Sequence, residues 1–458
     1  MKKSDLFKIS LLISGMFLFA SLRAQTGIDP ALATVLQNSI NSLRISNNVK
    51  GIYAAAYIPG KGTWKGVTGV SYGTVPIDTT MLFSIGSITK TFVASEIFKL
   101  IDAGQLSLND SLYSLLPPMA NVDPTITVKQ LLGHKSGMSD YLNTDWENAM
   151  FADPYRKWYP SEALDSFLTP AAGAPGGTWN YVNANYALLG MIVESQQADS
   201  LHHVLRNDFL TPLGLIDTHM EVFENYSSPI PHNWSTPTMS PSLAADSSAT
   251  PHSALWSSIE SAGGYFSNPS DMVHWGYNLY SGTVISPASL SQMLTFTSVS
   301  GGYFNGYGLG AMRFVSSGKT FWGHAGNFYG YAACMLYYPA DSLCVAVLIN
   351  QDCIAANIAK PLMTTLINNL SVGVDEQAGE VAVSVFPNPA STSVTVTMPA
   401  GTATGQISLY NVVGICVYSD PGGREEFTVN AAELSDGVYI LKIQAGNKLI
   451  NRKIIIQH

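Results

Sequence analysis

Charge is scarce in this chain. Lys, Arg, Asp and Glu make up only 12% of its 458 residues, whereas 46% are apolar. That balance reads as a globular chain, not a disordered one. The net charge is −9 and no basic run occurs, which excludes the footprint of a nucleic-acid binder. Cysteine is scarcer still: Cys334, Cys344, Cys353 and Cys416 are far too few for a disulfide scaffold. If Ala340 and Asp341 centre the turn in "YPADS", Cys334 faces position 347 and not Cys344, so free, buried thiols are expected. Neither C-x-x-C nor H-E-x-x-H is present. His202 and His203 are adjacent, so on a helix they point in different directions. No metal site and no cofactor are expected. Beyond residue 25 no apolar run is long enough to span a bilayer.

What is present falls into segments. "MKKSDLFK" is a basic start, "ISLLISGMFLFAS" a short apolar run and "SLRAQ" a cleavage region, so residues 1–24 read as a signal peptide. From 26 to 370 helical patterns alternate with β-rich runs. "SITKTFVASEIFKLIDAG" has helical apolar spacing with Gly104 as its stop. "ANYALLGMIVESQQA" and "SDMVHWGYNLYSG" are further helices, and "YAACMLYYPADSLCVAVLIN" is a hairpin. Residues 226–258, rich in Ser, Pro and Thr, read as a surface excursion, with a substrate-facing lid as the sharper alternative. Residues 371–384 read as a linker. Residues 385–458 carry short alternating strands and no helix, as in a small β-sandwich.

Chemistry is suggested first by "FSIGSITKTF". Ser87 would sit at a helix N-terminus, near the positive end of its dipole. Lys90 follows one turn later on the same face. A buried amine of lowered pKa can take the proton of a serine hydroxyl. On this pair alone the ordinary reading, an N-cap serine beside a solvated lysine, is equally open. A second S-x-x-K, Ser316 to Lys319, lies in a Gly-containing turn that would not hold the two side chains together. Y-x-N occurs three times. Tyr141-Asn143 and Tyr303-Asn305 read as loops, whereas Tyr181-Asn183 stands on a ledge just before a helix. H-x-G occurs twice. His274 lies inside a helix, whereas His324-Ala325-Gly326 begins the terminal hairpin, where small residues let a ligand lie along the strand.

"FSIGSITKTF", "ITVKQLLGHKSGM", "PGGTWNYVNANYALLG", "SAGGYFSNPSDMVHW", "YGLGAMRF" and "GHAGNFYGY" occur in that order. Over roughly residues 28–370 they resemble the penicillin-recognising serine hydrolases. The branch is that of class C β-lactamases, D-alanyl-D-alanine carboxypeptidases, D-aminopeptidases and related esterases. The resemblance implies an α+β fold, with an antiparallel sheet flanked by helices, an all-helical subdomain and the site between them. It implies Ser87 as nucleophile, Lys90 as its activating partner and Tyr181 as shuttle or base. It implies Asn183, His324 and Gly326 as substrate-binding residues, with the backbone N–H groups of Ser87 and Asn327 as oxyanion hole. The family often has lysine where this chain has His324. A mostly neutral histidine attracts a carboxylate less, which turns the expectation from β-lactams toward D-amino-acid peptides or small acyl substrates.

"VSVFPNPASTSVTV", "ISLYNVVGICVY", "LSDGVYILKI" and "RKIIIQH" resemble the type A sorting domain of the type IX secretion system. That resemblance implies the secretion machinery as a partner and a secreted or cell-surface location reached through the periplasm. A carbohydrate-binding sandwich is the plainer alternative. Its candidate aromatic platform, Phe386, Tyr410, Tyr418 and Tyr439, looks more like core. A non-catalytic binder of peptidoglycan peptides, or an adhesin using the same cleft, is the alternative for the whole chain. A pure binder has no need of Lys90.

Overall fold

The strand Gly51–Ile58 (GIYAAAYI) and the strand Leu343–Ile349 are apolar along their whole length and buried on both faces. Strands of that kind need helices on either side. The computed structural model describes residues 27–236, 244–249, 252–300, 302–370, 383–399, 404–411, 416–445 and 448–458. The expected signal peptide, and residues 371–382 of the expected linker, lie outside these residues.

The two buried strands are central in a nine-stranded sheet in which every pairing is antiparallel. In spatial order the strands are Val75–Pro76, Gly62–Tyr72, Gly51–Ile58, Leu343–Ile349, Tyr331–Tyr338, Lys319–Phe328, Met312–Ser316, Gly306–Tyr307 and Thr297–Ser298. Helix Pro30–Ser46 packs an apolar stripe of Leu32, Leu36 and Ile40 on this sheet. Helix Ala356–Asn369 runs beside it, with Ser39 Oγ 3.4 Å from Thr365 Oγ1. Helix Pro269–Tyr280 covers the opposite face and shares a core with Tyr53, Ala55, Met335 and Cys344.

Between Ser84 and His219 every described element is helical. This is the expected helical subdomain. The helix Thr89–Asp102 joins it to the sheet. It is buried nearly all round: 11 of its 14 residues are enclosed, Thr89, Lys90, Thr91, Ser95 and Glu96 among them. Gly104, at φ +71°, follows its end as expected. Trp275 locks this helix to the sheet layer. Its ring stacks on Phe92 at 3.9 Å between centroids, and its Nε1 donates to Thr91 Oγ1 at 2.7 Å.

The chain divides between Ile367 and Asn368. The second unit consists of two antiparallel sheets, one of three strands and one of four. Alternate residues of its strands, such as Val394 and Val396, Phe427 and Val429, or Leu441 and Ile443, form its core. Tyr439 is buried in that core and Tyr418 packs against it, whereas Phe386 is exposed.

Three local expectations are corrected. Cys334 does face Val347, and Cys334, Cys344 and Cys353 are buried free thiols, but Cys416 is exposed. The 226–258 excursion is not purely superficial. Trp234 N–H donates to the Asn350 carbonyl at 3.0 Å, and Trp256 is fully buried, because its apolar residues fill gaps beside the sheet. The rings of His202 and His203 do not diverge; they lie 4.4 Å apart. Among the described residues, no cluster could hold a metal ion and no helix is long and apolar enough to cross a membrane.

Trp275→Ala removes both the stack and the hydrogen bond to the helix Thr89–Asp102. It is expected to lower stability by about 3–5 kcal/mol, read as a reduced urea midpoint at unchanged slope. A loss below about 1 kcal/mol would show that Trp275 does not tie the two layers together.

Candidate active site

The strand Phe83–Ser84 ends in a tight turn, and Gly86 makes that turn at φ +49°. A Cβ there would sit 2.9 Å from the Asn327 nitrogen. Across the gap, a Cβ on Gly326 would meet the Ile85 carbonyl oxygen at 2.0 Å and the Ser87 nitrogen at 2.7 Å. Two glycines therefore let the strand Lys319–Phe328 press against the Ser87 turn. The two-residue turn Tyr329-Gly330 closes on the pair Phe328 and Tyr331. By ladder alternation, the Asn327 N–H then points off the hairpin, toward the Ser87 side. Ser87 is the second residue of its short helical turn, so its own N–H has no acceptor within that turn.

Ser87 does not cap the helix; Ile85 and Ile88 hold the cap positions, without side-chain bonds. Instead Lys90 Nζ reaches Ser87 Oγ at 2.9 Å. Lys90 is fully buried, and its other two bonds go to Asn183 Oδ1 at 2.9 Å and the Ala262 carbonyl at 2.5 Å. Burial lowers its pKa from 10.5 to about 7, with Asp140 pulling in the opposite direction. The faces of Tyr181 and Tyr186 lie 5.1 and 5.5 Å from the amine. A hydroxyl held against an amine that is neutral in about half of the molecules near pH 7 can give up its proton to it.

Asn183 sits between Lys90 and Asp140, donating from Nδ2 to Asp140 Oδ2 at 2.9 Å. It lines the cleft and keeps one N–H and one lone pair for another partner. Tyr181 lines the cleft with its hydroxyl enclosed, and its ring is stacked on His134 at 4.1 Å between centroids. Burial holds its phenol well above 10. Ser87 is near enough to favour the phenolate but is not in hydrogen-bonding geometry with it, and burial dominates.

His324 departs from expectation. It is fully buried and does not line the cleft, so it cannot touch a substrate directly. Both ring nitrogens are engaged. Val182 N–H donates to His134 Nδ1 at 3.3 Å, which leaves the His134 proton on Nε2. That proton goes to Tyr307 Oη at 3.2 Å. Tyr307 in turn donates to His324 Nε2 at 3.1 Å, and His324 Nδ1–H donates to the Ala325 carbonyl at 2.7 Å. Burial, reinforced by Lys90, lowers the His324 pKa to about 3 and holds His134 well below 6.5. Both rings are neutral, and the chain of bonds runs in one direction. Gly326, also expected to bind substrate, instead provides the close approach to the Ser87 turn.

The cleft holds about 300 Å³. The remaining polar motifs take ordinary places. Tyr141 is buried, donating to the Ser258 carbonyl at 2.8 Å, and Asn143 caps a helix. Ser316 to Lys319 forms a hairpin turn. Tyr303, read as a plain loop residue, does line the cleft. Sequence reasoning missed His134, Asp140 and Tyr307. The stretch "GHKSGMSD" was visible, but only the fold shows His134, at φ +55°, lying under Tyr181.

Gly326→Ala is expected to cut serine-directed acylation at least ~10-fold, because Ile85 and Ser87 must shift to admit a methyl group. The rate of labelling by a fluorophosphonate measures this. A wild-type rate would show that the approach of strand and turn is not needed.

Comparison with known proteins follows the same division. Residues 33–356 match the beta-lactamase family model, and residues 384–457 match the secretion system C-terminal sorting domain. Penicillin-binding protein 4* of Bacillus subtilis is 25% identical over 290 residues, 60% of this chain and 62% of that protein. Penicillin-binding protein 4 of Amycolatopsis lactamdurans is 28% identical over 194 residues, 39% and 47% of the two chains. The chain thus spans about half to three-fifths of these relatives. Among solved structures, a D-stereospecific amidohydrolase from Streptomyces is similar with a TM-score of 0.62 at 25% identity, covering 71% of this chain and 97% of that one. The D-amino acid amidase of Ochrobactrum anthropi SV3 has the same fold, with a TM-score of 0.65 at 21% identity over 74% and 99%. The chain belongs to the beta-lactamase family and ends in a type IX secretion sorting domain.

Proposed function

We propose that this chain is an exported serine hydrolase that opens amide or ester bonds through an acyl-enzyme on Ser87. The observation that carries the reading is the buried amine of Lys90, bonded to Ser87 Oγ and lowered to a pKa of about 7. In the first half-reaction Ser87 Oγ attacks the carbonyl carbon and its proton passes to Lys90. The carbonyl oxygen gains charge, and the N–H groups of Ser87 and Asn327 stabilise it. The C–N or C–O bond then breaks, and the leaving group takes a proton, with protonated Tyr181 as relay. In the second half-reaction water attacks the acyl carbon, gives its proton to Lys90 and releases the acid, and Ser87 Oγ regains its proton. Asn183 orients the substrate amide through its remaining N–H. Gly326 and His324 support the strand that carries Asn327.

The substrates are D-amino-acid peptides or small acyl compounds. Solved relatives named D-stereospecific amidohydrolase and D-amino acid amidase share the scaffold, and carboxypeptidase, aminopeptidase and esterase variants use the same steps. A signal peptide at residues 1–24 and the sorting domain would carry the protein through the periplasm to the surface or beyond.

Intact mass after fluorophosphonate treatment tests the nucleophile. Wild type is expected to gain one adduct and Ser87→Ala none; equal labelling of both would sink the reading. Lys90→Met is expected to lose about 10²–10⁴-fold in acylation rate, whereas a loss under ~3-fold would deny the lysine its role. The pH dependence has a fixed sign. A lysine lowered to about 7 is protonated and inactive as a base below that value, and neutral above it. The acylation kcat/KM should therefore rise through pH 7 to a plateau, and a rise centred near 10 would refute the buried-amine base.

A further inference from the structure

The cleft above Ser87 is walled by Leu142, Trp179, Ile259, Tyr303, Phe304 and Phe328. Among the described residues, no Lys, Arg, His, Asp or Glu side chain lines it. The charged groups nearby are occupied. Asp140 is bonded to both the backbone and the side-chain nitrogen of Asn183. Arg313 is held by the Asn305 side chain and carbonyl at 3.1 Å each. Lys360 reaches the Tyr303 carbonyl at 3.5 Å. His324, where a cation would serve a carboxylate, is sealed between Tyr307 and the Ala325 carbonyl.

A carboxylate entering such a cleft loses water and gains no counter-ion, and an ammonium group fares no better. An aromatic or bulky apolar group gains from the same surface by burial and ring stacking. Building on the hydrolase reading above, we infer that the acyl donor is uncharged, with an aromatic or bulky apolar group beside an ester or amide that bears no free carboxylate. The cleft thus selects against the carboxylate-bearing members of the proposed substrate class. The chemistry balances as before: ester and water give acid and alcohol or phenol, with Ser87 acylated between.

The test uses the full chain and three 4-nitrophenyl esters: 3-phenylpropionate, acetate and hemiglutarate. Each releases the same leaving group, so acyl selectivity alone is read. The phenylpropionate kcat/KM is expected to exceed that of the hemiglutarate at least ~100-fold. Trp179→Ala is expected to lower the ratio of phenylpropionate to acetate kcat/KM about 10-fold. Phe304→Lys, which puts a cation on the wall, is expected to raise the ratio of hemiglutarate to phenylpropionate about 10-fold. If the hemiglutarate acylates Ser87 within ~3-fold of the phenylpropionate, the inference is overturned while the hydrolase stands. If neither esters nor a fluorophosphonate leave an adduct on Ser87, the hydrolase reading fails and the inference goes with it.

Discussion

A lysine amine buried without a carboxylate partner is the constraint around which this structure is arranged. Lys90 is completely enclosed, yet its contacts are three neutral oxygens: a hydroxyl, an amide and a backbone carbonyl. An ammonium group has three protons to donate, and three acceptors satisfy them. The Coulomb support is indirect, through Asp140 behind Asn183. A closer carboxylate would have kept the lysine charged and useless as a base. No carboxylate at all would have left the amine to be stabilised by three neutral dipoles alone. Placing one amide between the two charges sets the amine near neutrality. The three acceptors come from the Ser87 turn, from the ledge before helix Ala184–Gln197, and from the segment Glu260–Gly263. Folding the sheet, the subdomain and this segment together is thus a condition for tuning the lysine.

The His134–Tyr307–His324 chain has a complementary consequence. Each member has its hydrogen-bond polarity fixed by the backbone: Val182 N–H at one end and the Ala325 carbonyl at the other. A chain bonded at both ends cannot reverse or take up a proton without leaving one donor unpaired in the interior. It therefore behaves as a rigid, neutral support. Tyr181 rests on the His134 ring, so the phenol is placed by stacking and its hydroxyl is left without a bond of its own. The relay proposed for Tyr181 is consistent with a hydroxyl unpartnered at rest.

Much of the architecture was legible from local pattern. The 3.6-residue period and Gly104 marked the helix that follows Ser87, and the Pro-Asp turn put Cys334 opposite Val347. The pairing of Ser87 with Lys90 followed from helix geometry, and the ledge at Tyr181 from a glycine turn before a helix. His324 was not legible in the same way. Its neighbours in sequence are small and suggest an open strand edge, whereas its burial is produced by Tyr307 and His134, 17 and 190 residues away. Trp179 and Phe304 escaped for a similar reason. Each sits in a loop, and a loop aromatic has no periodicity to say which surface it faces. Gly326 was read as room for a ligand; the room is taken by the Ile85 carbonyl.

The division of labour that results explains how one scaffold can serve different substrates. The groups proposed to surround the reacting bond stand on or beside regular elements: the short turn before a buried helix and that helix's first turn, a ledge packed on another, and a strand held close by two glycines. These tolerate little change, since displacement of any one of them breaks the bond between Lys90 and Ser87 or opens the gap at Gly326. The walls come from Trp179, Tyr303, Phe304 and Phe328, which lie in loops or at a strand end. Side chains there can be exchanged without moving the reacting groups. Under the proposed reading, the aromatics at those positions and a buried His324 bear on what the cleft admits, and the pairing of Lys90 with Ser87 on how it reacts.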